Sequence, residues 1–319
     1  MIVDLPDTTT AKVSKALVRI REEGGAVALG RVLTLIIAAE VGHEEVAIEA
    51  ANDASREHPM RVIVLSTEAD TAPECAPRVD AEIRVGGDAG ASEVIVLRAY
   101  GDAASDPESL VTGLLLPDAP VVAWWPGEAP ELPAESPLGR IAYRRITDAS
   151  AQADPQAALN RLSANYRPGD TDFAWTRLTL WRAQLAAVLD QPPYEPVTAV
   201  SVSGALDSPS TTLLAAWLQL ALQVPVDYEL TTGPDANGIH GVHLTRASGV
   251  ISLEREVPGI ATLAQPGQPV QDLTLKRRSL RDCLSDELRR LDPDELYGQV
   301  ITQGLPQLGA ATTTTGDPL

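Results

Sequence analysis

The chain has 319 residues, about twice the usual single-domain length, with 44% apolar and 22% charged residues, so two globular domains with a sizeable core are expected. Its 25 Lys and Arg against 44 Asp and Glu leave a net charge of −19, split as −12 in the first 150 residues and −7 in the rest. Neither part has the basic balance that neutralises phosphates, which argues against nucleic acid and against an anionic membrane surface as partners.

The opening MIVDLPDTTT has acids and no basic n-region, so it does not read as a signal peptide. Ser208 to Val226 is a long uncharged and mostly apolar stretch, but its Ser, Thr, Gln and Pro residues make a buried helix the expectation rather than a membrane span. Cys75 and Cys283 are too few and too far apart for a disulfide framework or a metal cluster. A cytoplasmic protein without cofactor or metal is the expectation.

In chain order, Met1 to Gly25 reads as an extended lead and then a helix, with Val13, Ala16, Leu17 and Ile20 at helical spacing. Arg31 to Ala38 and Arg61 to Ser66 are branched apolar runs typical of strands buried on both faces, and the helix-spaced Val46 to Ala54 lies between them. This is a βαβ unit with a parallel pair. Further strands are predicted at Ala81 to Val85, Glu93 to Arg98 and Val121 to Trp125, with a short helix near Ser109 to Leu115. The first α/β domain spans residues 1–150, and 151–172 reads as a helical connector.

The second α/β domain is predicted over 173–308. Ala174, Leu178, Trp181, Leu185 and Val188 form the apolar stripe of its first helix. Strand Val197 to Ser203, a helix with Pro209 at its first position and strand Val226 to Thr231 make a second βαβ unit. Val242 to Arg246 and Val250 to Glu254 read as a hairpin, and Ser279-Leu-Arg-Asp282 as a capping box opening a basic helix. The Thr-rich 309–319 reads as a disordered tail. The fold class is therefore two α/β domains with mixed, largely parallel sheets flanked by helices.

No nucleophile elbow, phosphate loop or H-E-x-x-H motif occurs. His240 and His243 lie three apart on a predicted strand, a spacing that does not place two ligands on one face. Cys75 and Cys283 show no basic neighbourhood that would activate a thiol. The turn carrying Ser203, Gly204, Ser208 and Ser210 connects strand to helix; it either holds an anion at the helix start or simply caps the helix through Ser208. Trp124 and Trp125, adjacent on a strand, must point to opposite faces, so one is expected outward unless something covers it. Arg144 and Arg145, followed by Asp148, form the one dense basic spot of the first domain. These residues, with Trp175, Arg177 and Arg182, concentrate the large aromatics and arginines of an aromatic-poor chain, which makes them the candidate partner interface. Replacing Arg144 and Arg145 is then expected to weaken association without lowering the melting temperature. The segment around Arg277, Arg278 and Arg281 is the alternative interface.

Several stretches occur together and in order: Arg31-Val-Leu-Thr-Leu-Ile-Ile37, Ser55-Arg-Glu-His-Pro59, Asp88-Ala-Gly-Ala-Ser-Glu-Val94, Leu116-Pro-Asp-Ala-Pro-Val-Val-Ala-Trp-Trp-Pro126, Leu138-Gly-Arg-Ile-Ala-Tyr-Arg-Arg-Ile-Thr-Asp148 and Asp172-Phe-Ala-Trp-Thr-Arg-Leu-Thr-Leu-Trp-Arg-Ala-Gln-Leu185. In this ordered set the chain strongly resembles the glucose-6-phosphate dehydrogenase assembly proteins of the OpcA family, in their actinobacterial form. The resemblance implies a non-catalytic partner of oligomeric glucose-6-phosphate dehydrogenase that promotes its assembly or active state. The alternative from another class is a sugar-phosphate-binding enzyme or sensor using the Ser203 to Ser210 turn.

Overall fold

The computed structural model describes residues 1–24, 30, 32–67, 76–86, 93–233 and 237–315. In chain order its first elements are β1 (Ile2–Leu5), α1 (Thr10–Gly24), β2 (Leu33–Glu40), α2 (Glu45–Ala54), β3 (Met60–Thr67), β4 (Arg78–Val85) and β5 (Glu93–Tyr100). There follow α3 (Pro107–Thr112), β6 (Val121–Trp124), α4 (Pro137–Ile141), β7 (Arg144–Thr147), α5 (Pro155–Asn165), β8 (Asp170–Asp172), α6 (Phe173–Thr176) and α7 (Thr179–Leu189). Next come β9 (Ala199–Ala205), α8 (Pro209–Leu222), β10 (Val226–Thr232), β11 (Ile239–Arg246), β12 (Gly249–Val257), β13 (Ile260–Ala264) and β14 (Gln271–Thr274). The last are α9 (Leu280–Arg289), α10 (Glu295–Gln299), a π-helical turn at Val300–Gly304, α11 (Leu305–Gln307) and β15 (Thr312–Thr315).

The chain divides into two compact units that do not follow chain order. The first comprises Met1–Asp148, Gly169–Thr171 and Ser279–Pro293; the second comprises Ala149–Pro168, Asp172–Arg278 and Asp294–Leu319. Helix α9, which its position in the chain assigns to the second domain, thus belongs to the first unit.

The first unit holds an eight-stranded sheet in the order β1-β4-β5-β3-β2-β6-β7-β8. Its centre is parallel: β3 pairs in register with β2 and β5, β2 with β6, and β6 with β7. β4 and β1 add antiparallel strands at one edge. The predicted βαβ unit is β2-α2-β3. One face packs Ile36, Ile63, Leu65, Ile95, Leu97 and Ala123 against Val13, Leu17 and Ile20 of α1, with Val111 of α3 and Leu138 of α4. The alternate row, Leu35, Ile37, Val62, Val64, Val122 and Trp124, is buried too. Each such side chain contributes roughly 1.5–3 kcal/mol by leaving water. Burial on both faces explains why these strands read as unbroken apolar runs. Within this core, Glu93 of β5 takes an ion pair from Arg61 of β3 and another from Arg21 of α1, each at 2.8 Å.

The second unit holds a seven-stranded sheet in the order β14-β13-β12-β11-β9-β10-β15. β9, β10 and β15 are parallel, and antiparallel pairing prevails from β9 through β14. The sheet is mixed, with its parallel part confined to the predicted β9-α8-β10 unit and β15. Val200, Val202, Val242, Leu244, Ile251, Leu253 and Leu263 form one buried row against Leu213 and Leu214 of α8 and Trp181 and Leu185 of α7. The apolar stripe over Ala174 to Val188 is buried as predicted, although the helix breaks between α6 and α7. The hairpin joins β11 to β12 in the register Arg246↔Gly249.

The tail expected to be disordered contributes β15, paired parallel to β10 from Glu229↔Thr312 to Thr232↔Thr315. Backbone pairing needs no apolar side chain, and β-branched Thr suits a strand.

Candidate functional site

Of the aromatic and arginine residues singled out in the sequence, Trp124, Trp125, Arg144, Arg145 and Trp175 are buried and Arg177 and Arg182 half-buried, whereas one tryptophan of the pair was expected outward. Trp124 and Trp125 are both buried, because both faces of the first sheet are covered. Arg144 and Arg145 lie on β7, a buried strand that the sequence does not announce. The Arg144 guanidinium pairs with Glu287 of α9 through Nε at 3.0 Å and through Nη2, and its Nη1 donates to the Asp292 carbonyl at 2.7 Å. Arg145 pairs with Asp170 through Nε and donates from Nη1 to the Ala142 carbonyl at 3.1 Å. Gly169, at φ +95°, makes this possible: a Cβ there would stand 2.8 Å from the Tyr143 carbonyl and 2.9 Å from Arg145 Nη2. Asp148 is buried as well.

In the second unit, Trp175 is buried and donates its indole N–H to Asp294 Oδ2 at 2.8 Å. The half-buried Arg182 lays its guanidinium 3.7 Å from the centre of that ring. Arg177, also half-buried, donates to Ser150 Oγ at 2.8 Å. These arginines and tryptophans hold elements together.

The strand-to-helix turn is likewise filled. Ser210 Oγ donates to the Ala174 carbonyl at 2.8 Å, and Ser208 occupies the N-cap of α8 without a side-chain cap bond. Gly204 packs so closely that a Cβ would lie 2.2 Å from Thr211 Oγ1. Ser203 alone of the four opens onto a cavity. Ser208 therefore does not cap through its hydroxyl as expected, and Gly204, Ser208 and Ser210 are all buried.

That cavity, about 620 Å³, lies wholly in the second unit, where the sheet departs from regular register. Shifts occur between Ile239 and Gly241 on β11 and between Glu254 and Val257 on β12. They bring Ser203, His240, Glu254 and Arg255 together with Asn237, Glu256, Lys276 and Arg277. Arg255 Nη2 donates to the Ile239 carbonyl at 2.8 Å, and its guanidinium lies 5.6 Å from the Trp181 ring centre. Burial, then the nearby charge of Arg277, lowers the Arg255 pKa. Burial, then Arg255, holds His240 below its ordinary value against the opposing pull of Glu229. His243 of β11 meets Glu254 Oε1 at 2.8 Å. The sequence offered one signal for this cavity: Lys276 is one of only three lysines and starts the run Lys276-Arg277-Arg278.

The second sheet also presents a solvent-facing row opposite its core. Ala199, Ser201, Asp227, Val250 and Ile260 are exposed there, with Ser203, His243, Ser252 and Thr262 half-buried between them. The registers Ser201↔His243 and His243↔Ser252 place small or polar residues side by side across three strands.

Cys283 is buried on α9, whereas Cys75 lies outside the described residues. Among the described residues, no three His, Cys, Asp or Glu side chains gather as a metal-ligand group, and no helix is long and apolar enough to cross a membrane.

Among solved structures, the chain is similar to a 3-ketoreductase from Actinomadura kijaniata in complex with TDP-benzene and NADP, at 12% identity and TM-score 0.46, over 89% of this chain and 100% of that one. It is similar to a glucose-6-phosphate 1-dehydrogenase from Mycobacterium avium at 11% identity and TM-score 0.42, over 89% and 94% of the two chains. No curated protein sequence matches it. Residues 51–164 match the family model described as the glucose-6-phosphate dehydrogenase subunit N-terminal domain, and residues 168–301 the one described as its C-terminal domain. Matched in this order over both α/β units, the chain belongs to the OpcA family of glucose-6-phosphate dehydrogenase assembly proteins.

Proposed function

We propose that this chain is a non-catalytic assembly factor and allosteric activator of oligomeric glucose-6-phosphate dehydrogenase, acting in the cytoplasm and raising NADPH production through the oxidative pentose phosphate pathway. The carrying observation is the ordered pair of family matches across residues 51–301. An activator must bind the active arrangement of its partner better than the inactive one. A differential of about 1–3 kcal/mol is the usual size of such coupling.

With the tryptophan and arginine cluster committed to internal contacts, the partner surface passes to the solvent-facing row of the second sheet. Small residues such as Ala199, Ser201 and Ser252 allow close approach across it. Val250 and Ile260, at 50% and 47% exposure, supply apolar contact.

The test mixes purified chain with the cognate dehydrogenase and follows NADPH formation against substrate concentration. A raised kcat or lowered KM supports activation. Co-elution with unchanged kinetics refutes activation in favour of a passive scaffold, and sugar-phosphate turnover by this chain alone refutes the non-catalytic reading. Ser201→Arg, on an exposed position, is expected to weaken the complex at least tenfold, about 1.4 kcal/mol.

A further inference from the structure

The cavity of the second unit is lined by three cationic residues, Arg255, Lys276 and Arg277. Lys276 and Arg277 are exposed and Arg255 is half-buried, and among the described residues none of the three is ion-paired with a carboxylate. Arg277 Nη1 instead donates to Asn237 Oδ1, and Arg255 to the Ile239 carbonyl. In the first unit, by contrast, buried Arg144 meets Glu287 and buried Arg145 meets Asp170. Cationic heads grouped around a concave space, each with donors to spare, form a receptor for a multiply charged anion.

The backbone is shaped to hold them there. Gly238, at φ +69°, leaves room for Arg255: a Cβ would stand 2.8 Å from its Nη2. Gly259, at φ +86°, lies against the stem of Lys276. Both positions favour glycine on conformational grounds, so the placement of these cations is built into two turns.

The cavity is larger than an inorganic ion fills. A cavity of about 620 Å³ falls within the range of small organic-molecule sites, and a phosphate group alone leaves most of it unfilled. Beside the cations it is lined by Glu256 and by Glu254, whose Oε1 meets His243 and whose second oxygen remains; carboxylate oxygens accept hydrogen bonds from hydroxyl groups. We propose that this cavity binds a small hydroxyl-bearing phosphate ester, its phosphate held by Arg255, Lys276 and Arg277 and its hydroxyls by Glu254 and Glu256. The site concerns binding only. It lies apart from the filled interior of the strand-to-helix turn and uses neither of the buried Ser208 and Ser210 side chains.

Calorimetry on the full chain alone, at low ionic strength, tests this with inorganic phosphate, glycerol 2-phosphate and glycerol. One equivalent of glycerol 2-phosphate is expected to bind, more tightly than inorganic phosphate, with glycerol not binding. Lys276→Gln combined with Arg277→Gln changes two exposed side chains and is expected to weaken the ester at least tenfold. In the unchanged protein the ester is expected to move the His240 imidazole resonances, a readout that does not depend on any variant. Absence of binding by both phosphate probes overturns the proposal, as does binding retained within twofold in the double variant or a His240 signal that stays still at saturation. Inorganic phosphate binding as tightly as the ester overturns the assignment of an organic ligand. No dehydrogenase is present in this experiment, so its outcome is independent of the proposed function.

Discussion

Replacing Arg144 by Ala is the sharpest test of the reassignment of the arginine pair from surface to interior. The Arg144 and Glu287 side chains are 4% and 7% exposed, and the guanidinium also serves the Asp292 carbonyl at 2.7 Å. Alanine strips Glu287 of this cation in a place where water reaches it poorly. Removing one partner of a buried pair typically costs about 3 kcal/mol or more. For a unit of this size that corresponds to a fall in melting temperature of about 6–12 °C. Urea unfolding followed by circular dichroism measures the loss, and hydrogen exchange of the α9 amides, Leu280 to Arg289, locates it. Arg144→Met combined with Glu287→Leu removes both charges and is expected to return to within about 1.5 kcal/mol of the parent, because no buried carboxylate is then left facing apolar surroundings. A single variant that loses less than about 1 kcal/mol, or a double variant as unstable as the single, refutes this account. The outcome also reverses the sequence-based expectation that Arg144 and Arg145 can be replaced without a change in melting temperature.

Gly139→Ala places a Cβ 1.7 Å from the Pro133 carbonyl oxygen, backbone against backbone, and is expected to cost about 3 kcal/mol in equilibrium unfolding. Cys283, buried on α9, is expected to react with a thiol reagent at a negligible rate in the native protein and readily in urea; fast native modification contradicts its burial. The His240 imidazole is expected to titrate below 6.5 by NMR, and Arg255→Gln to move it upward by removing a neighbouring positive charge. Because its folded pKa lies below the unfolded value, the stability it contributes is whole above about 6.5 and is lost as pH falls through the folded pKa; an unmoved titration in the variant refutes the assigned cause.

Much of the architecture was legible in the residue pattern because it is local. Branched apolar runs around α2 and α8 specified two βαβ units, and both appear with their strands paired parallel. Ser279 and Asp282 satisfy each other's backbone N–H groups within one turn, so the start of α9 needed no other part of the chain. The stripe from Ala174 to Val188 reported burial correctly because one face of a helix is read directly from spacing. Tertiary structure decided what spacing does not record. β7 carries two arginines in four residues and looks solvated, yet it is buried because Arg144 meets Glu287, 143 positions away, and Arg145 meets Asp170, 25 away. The return of α9 to the first unit, the β15 strand of the Thr-rich tail and the cationic cavity share that character. Periodicity measures how a segment divides its own faces between oil and water. It carries no information on which distant carboxylate, strand edge or turn will complete a polar segment, and those long-range pairings placed the arginines inside and left Arg255, Lys276 and Arg277 around an open space.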